Sequence, residues 1–262
     1  MVKLRHYLNS LILCALCFIA GCSSSSHGDY LRIVPRAERK GLAVLNFFNA
    51  SPAGKAQQYQ SWVYGIPAML TTDLETIGQF NLVNRERLND ILQEQQLQVS
   101  GLVDPATAVQ MGRLTAAHYI LTGSFGIMGE RLRIETQVYS VESGVQLGAT
   151  SVEGETANFF LLEKQLVVKL TSYLEAMLSG EEINKLSAKI ETRSVQASLN
   201  NYAGEMALLQ AKNLNATGKT KEAQSARESA KQNFEAALNY DPAYQRARDN
   251  LRKLLMGIPL TI

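Results

Sequence analysis

Cysteine is nearly absent from this sequence: Cys14, Cys17 and Cys22 are the three present, all within the first 22 positions. No disulfide framework or cysteine-based metal cluster can be built over the rest of the chain. Histidine is as scarce. His6 and His27 lie near the amino terminus, and His118 stands alone beyond them. A single histidine at a strand start reads as a rim or core residue. There is no metal-spaced His/Cys cluster, no Ser-His-Asp order and no nucleophile elbow. Glycines are scattered, with no phosphate-cradling loop behind a strand. An excess of charge is lacking too. The chain carries 26 basic and 24 acidic residues, a formal charge of +2. Removing Lys3 and Arg5, which lie in a segment expected to be cleaved, leaves 24 against 24. That balance gives no general attraction to nucleic acid or to an anionic surface. These absences lead us to expect a protein that is not an enzyme, with no cofactor, no metal and no nucleic-acid partner.

The apolar run from Leu11 to Ala20 spans ten residues, against the roughly 20 that a spanning helix needs. With Lys3, Arg5 and His6 ahead of it, it reads as a cleavable signal. Ile19-Ala20-Gly21-Cys22 resembles the bacterial lipobox. The resemblance implies cleavage after Gly21, diacylation of Cys22 and acylation of the new amino terminus. Ser23, standing where Asp would favour retention in the inner membrane, implies sorting to the outer membrane. Several acyl chains exceed the two signals that stable anchoring requires. Residues 1–21 are thus expected to be a lipoprotein signal and 22–39 a lipidated, flexible tether. The lipid anchor at the periplasmic face of the outer membrane is the first partner.

From residue 40 the pattern is that of an α/β fold. Gly41–Phe48 is an apolar run of strand length, rich enough to be buried on both faces. Val63, Ile66, Leu70, Leu74 and Ile77 recur at three and four, predicting a helix with Pro67 in its first turn and Gly78 past its end. Phe80–Val83 is a second short strand, and Asn84 is a cap for a helix through Leu88, Ile91 and Leu92. Asp104-Pro105 begins another helix. Tyr119, Leu121, Phe125 and Ile127 alternate, as do Leu132, Ile134, Thr136 and Val138 against Arg131, Arg133, Glu135 and Gln137. Turns at Met128-Gly129-Glu130 and Glu142-Ser143-Gly144 make a three-stranded meander that continues through Val145, Leu147 and Ala149. Phe159, Leu162, Leu166, Leu170, Leu174 and Met177 form a long amphipathic helix to cover the sheet. Asp73 and Glu75, two apart on a helix, do not share a face. Arg85-Glu86-Arg87 reads as a solvated or interface turn.

Gly180–Arg193 is charged and weakly periodic, the expected boundary between an α/β domain at 40–180 and an all-helical domain at 194–262. In the latter, Ala230, Phe234, Ala237 and Pro242 match the second helix of a tetratricopeptide repeat, and Gly218 stands where the first helix wants a small residue. Leu214 and Lys221 depart from its aromatic positions. Tyr244, Ala247 and Leu251 begin the next helix. With fewer than the ~3 repeats that stand alone, the segment must lean on the first domain or on a partner.

The pieces from residue 40 to 155 resemble the curli-secretion channel (CsgG) family in order and spacing. They are GLAVLNFF at 41–48, Met69–Leu74, Phe80–Leu88, Ile91–Gln96, Gly112 with Ala117–Ser124, and the turn Val141–Gly144. The resemblance implies a mixed sheet with helices on one face. It also implies envelope or secretion proteins as partners, and a possible homo-oligomer. Founding members form an export pore through two long inserted hairpins. Here both insertion points are too short for strands of ~9–11 residues. The chain is therefore expected to be a scaffold or accessory factor of envelope assembly. The alternatives within the family are an export-complex subunit, or a regulator of peptidoglycan synthesis or flagellar assembly. Outside it, the alternative is an enzyme or small-ligand receptor whose site is assembled from scattered polar groups. The candidate site residues are Cys22 for lipidation and Tyr202, Tyr244 and Arg248 for partner binding.

Overall fold

The computed structural model describes residues 34–94, 104–174, 176 and 178–259. They fall within one compact unit, Ile33–Ile262. Strand β1 (Lys40–Val44) and the short β2 (Phe48–Asn49) come first, then a single-turn helix α1 (Ala53–Ala56) and the helix α2 (Trp62–Ile77). Strand β3 (Phe80–Leu82), α3 (Arg85–Glu94) and α4 (Pro105–Leu114) follow. The meander is β4 (Tyr119–Met128), β5 (Arg131–Ser140) and β6 (Gln146–Glu155), after which α5 (Phe159–Tyr173) crosses back. The chain ends with α6 (Gly180–Ala188), α7 (Val195–Ala216), α8 (Thr220–Tyr240) and α9 (Gln245–Leu255). The six strands form one mixed sheet in the order β3-β1-β4-β5-β6, with β2 also on β4. Pairs β1–β3, β1–β4 and β2–β4 are parallel, and the two meander pairs are antiparallel.

The meander register places Phe125 opposite Ile134, and Ile134 opposite Val152. Leu132, Ile134, Thr136 and Val138 are buried, while Arg131, Arg133 and Glu135 face solvent. Gly129 makes the two-residue hairpin at φ 62°. The third strand differs from the sequence expectation. Its core face is Gly148, Thr150, Val152 and Gly154, because a bulge after Val138 pairs Tyr139 with Gln146 and passes over Leu147. An extra residue moves every later side chain to the opposite face, so Val145 and Leu147 stay exposed.

Strand β1 is covered on both sides. Leu42 and Val44 join Trp62, Ile66, Leu70, Phe159, Leu166 and Leu170 in the main core under α2 and α5. Ala43 and Leu45 join Leu88, Ala108, Met111, Ile120 and Tyr139 under α3 and α4. Helices therefore lie on both faces at this end of the sheet, where the family resemblance implied one. The apolar run at 41–48 is also two strands rather than one. Pro67 sits inside α2 rather than in its first turn. It has no N–H to offer Val63, and the carbonyl of Val63 instead accepts from the Phe47 N–H between β1 and β2, at 3.0 Å. The predicted caps are present. Asn84 Oδ1 accepts from Arg87 N–H at 3.1 Å, and Asp104 Oδ1 from Ala106 and Thr107 at 3.0 and 3.1 Å. Gly78 closes α2 at φ 72°.

Residues 180–193, charged as they are, carry α6 behind a Ser179/Glu182 capping box, and Leu186 enters the main core. The tail is helical as expected, but its first helix is α7, which runs to Ala216. Gly218 lies in the turn after it, at φ 75°. The small residue that receives the buried Phe234 is Gly204: a Cβ there would lie 2.5 Å from the ring. Between β4 and β5 stand only Gly129 and Glu130, and between β6 and α5 only Thr156–Asn158. Neither junction has room for a membrane-crossing hairpin.

Candidate functional site

The ends of β1 and β3 open toward the tail, the side on which open parallel sheets take ligands. Asn46 follows β1, and Asn84 follows β3 as the cap of α3. Arg85, the first residue of α3, is turned inward and is only 6% exposed. Its Nη2 donates to Asn46 Oδ1 at 2.7 Å, and its guanidinium lies 4.3 Å from the centre of the Tyr64 ring. Burial pushes the Tyr64 hydroxyl up to about 12. Among the described residues, Nε and Nη1 of Arg85 are buried without a partner, as is Nδ2 of Asn89, one turn further along α3.

The tail roofs this region. Tyr202 packs into the notch at Gly65, where a Cβ would lie 2.6 Å from its ring. Ser61 Oγ donates to the Leu199 carbonyl at 2.8 Å, and Trp62 Nε1 to Ser198 Oγ at 3.4 Å. Lys212 reaches Glu86 and Asp90 at 2.8 and 3.0 Å, and Arg246 pairs with Glu191 at 2.7 Å. Asn201 and Asn250 both donate to Glu205 Oε1, at 3.0 and 2.9 Å. Between the segment leading into α2 and the helices α7 and α8 runs a groove of about 840 Å³. Its walls include Gln57, Gln60, Gln196, Asn200, Gln210 and Asn213, with Leu199 and Met206 between them. Among the described residues, no Asp, Glu, Lys, Arg or His lines it.

A second polar cluster is sealed under α2 and α5. Lys164 contacts Asp73, and its Nζ lies 3.2 Å from Glu163 Oε2. Burial, then the charge of Asp73, push the Glu163 carboxyl well above its ordinary value. Burial also raises Asp73, although Lys164 pulls the other way. For Lys164 burial opposes the charge, but Glu163 and Asp73 outweigh it and hold the ammonium above its usual value. The arrangement fits a protonated Glu163 beside an Asp73–Lys164 ion pair.

Cys22 lies outside the described residues. Tyr202 and Tyr244, expected on a partner-binding surface, are internal at 0% and 1% exposure. Tyr202 fills the notch on α2, and Tyr244 packs with Ala197, Ala237 and Ala247. Burial raises both hydroxyls above their ordinary range. Arg248 is exposed, and its guanidinium donates to the Pro242 carbonyl. His118 sits at the rim, its Nδ1 accepting from the Gly41 N–H at 2.9 Å. Sequence reasoning missed the Asp73–Glu163–Lys164 cluster, though a signal was there. Asp73 continues the spacing of Ile66 and Leu70, and Glu163 that of Phe159, Leu166 and Leu170. A charge within an apolar stripe points to a buried partner.

Sheet, helices and seam define a mixed-sheet α/β protein with a docked helical tail. Residues 33–153 match the family described as curli production assembly/transport component CsgG. Among solved structures, the LpoB C-terminal domain from Escherichia coli is similar at 21% identity and TM-score 0.34, over 44% of this chain and 82% of that one. Lipoprotein GNA1162 from Neisseria meningitidis is similar at 13% identity and TM-score 0.39, over 53% and 99%. The PelC dodecamer from Paraburkholderia phytofirmans is similar at 15% identity and TM-score 0.34, over 56% and 93%. No curated protein matches the chain.

Proposed function

We propose that this protein is a lipoprotein of the outer membrane, held at its periplasmic face by acyl chains on Cys22. It acts there as a non-enzymatic scaffold for envelope or secretion proteins. The CsgG-like match over residues 33–153 supports the envelope setting. The observation that carries the scaffold role is the amide-lined groove. Its amide side chains offer donors and acceptors in pairs, as a polypeptide backbone does. The occupant is an extended segment of a partner protein. The short junctions after β4 and β6 favour an accessory role over a pore subunit.

Two variants separate anchoring from recruitment. Cys22→Ser should move the protein from the membrane fraction to the soluble one while capture of partners from detergent-solubilised envelopes persists. Ala203→Trp, which places an indole in the groove, should abolish that capture and leave the protein in the membrane. Undiminished capture by a folded Ala203→Trp variant would remove the groove from the recruiting role.

A further inference from the structure

Beside the groove lies a separate cavity of about 290 Å³, walled by α2, the end of β3, the start of α3 and the tail. Arg85 and Arg246 line it, together with Glu75 and Glu205. The four charges are not equivalent. Arg246 is matched by Glu191, and Glu205 accepts from Asn201 and Asn250. Glu75 is exposed to solvent. Arg85 is 6% exposed, and no carboxylate stands within ion-pair distance of it among the described residues. Its one hydrogen bond uses Nη2, so the N–H of Nε and the two of Nη1 are left over.

A buried cation without a counter-charge is costly, and lysine can relieve that cost by losing its proton. Arginine cannot, because its guanidinium stays charged. The positive end of α3 adds to the same field. The Tyr64 ring, its centre 4.3 Å from the guanidinium, holds the guanidinium plane in place.

We propose that this cavity binds a small oxyanion, a carboxylate or a phosphate, through the guanidinium of Arg85. The proposal goes beyond the recruiting role of the groove and does not depend on it.

The test is a nuclear magnetic resonance titration of the mature full chain labelled with ¹⁵N-arginine. The Arg85 Nε–H resonance is assigned through the backbone of α3, so no variant is needed for its identity. Sodium phosphate and sodium acetate are added separately, with chloride keeping ionic strength constant. A saturable shift of that resonance, absent with chloride alone, is the expected result. Saturation by phosphate only assigns the site to phosphate groups, and saturation by acetate, with or without phosphate, assigns it to carboxylates. A resonance unmoved by both anions, or moved without saturation, overturns the proposal. Arg85→Lys keeps the charge but not the planar fork. It should lose the rise in thermal midpoint that the effective anion gives the wild type. An equal rise in the folded variant also overturns the assignment to Arg85.

Discussion

Glu163 is 1% exposed, and its carboxyl is held well above the ordinary 4.5 by burial and by Asp73. An acid whose folded value is raised binds its proton more tightly folded than unfolded. The stability it contributes is complete below 4.5 and is lost as pH rises through the folded value. Lys164 adds to the same slope at the alkaline end, since its folded value also lies above the ordinary 10.5. Glu163→Gln keeps a neutral, hydrogen-bonding side chain of the same shape. Its thermal midpoint should therefore decline less than that of the wild type between mildly acidic and mildly alkaline pH. A decline as steep as the wild type's would place the titration elsewhere. Lys164→Met is the contrasting case, because it leaves Asp73 buried without its cation; breaking such a pair costs about 3–5 kcal/mol.

Among the elements, β5 gives the sharpest test of which face is which. Ile134 is 0% exposed between Phe125 and Val152. Glu135, one residue on, is half exposed and pairs with Arg133 at 2.6 Å. Ile134→Asp puts an unpaired charge into the core and should prevent folding. Glu135→Gln gives up one surface ion pair, about 0–1 kcal/mol, and should leave the thermal midpoint nearly unchanged. The period-two alternation made β4 and Arg131–Val138 of β5 legible because both are paired without interruption. It misplaced β6 because the bulge after Val138 leaves no local mark in the sequence of either strand. Caps were legible for the opposite reason: Asn84 and Asp104 bond to residues two or three positions away. Gly204 was not, since its partner Phe234 lies on the other arm of a helical hairpin, and the repeat pattern pointed to Gly218. Arg85 looked like a surface arginine because its partners, Asn46 and Tyr64, lie on other elements far away in sequence. The edge strand β6 is guarded in a similarly non-local way. Lys169 Nζ donates to the Ser151 carbonyl at 2.9 Å and the Tyr173 hydroxyl to that of Ala149 at 3.1 Å, occupying groups that would otherwise pair with another strand.

In the molecule as a whole, sheet and tail share one core. Leu186 and Leu199 belong to the same buried cluster as Ile134 and Trp62, so removing the tail uncovers α2. Trp62 is the chain's one tryptophan. It stacks on Phe159 with ring centres 4.0 Å apart and donates to Ser198 in α7, so its fluorescence reports whether the tail is seated. Phe234, 0% exposed, is the ring that locks α8 onto α7 at Gly204. Truncating a buried phenylalanine to alanine costs about 3–5 kcal/mol, a large fraction of the roughly 5–15 kcal/mol that holds a domain together. Phe234→Ala should therefore unfold at a lower temperature. The loss of helical circular dichroism and the red shift of Trp62 emission should coincide in one transition, because Tyr202 and Leu199 cannot leave α2 without wetting the indole. Two separate transitions, with the helical signal falling while Trp62 stays buried, would show that the tail folds and melts on its own, and that the sheet keeps its core without it.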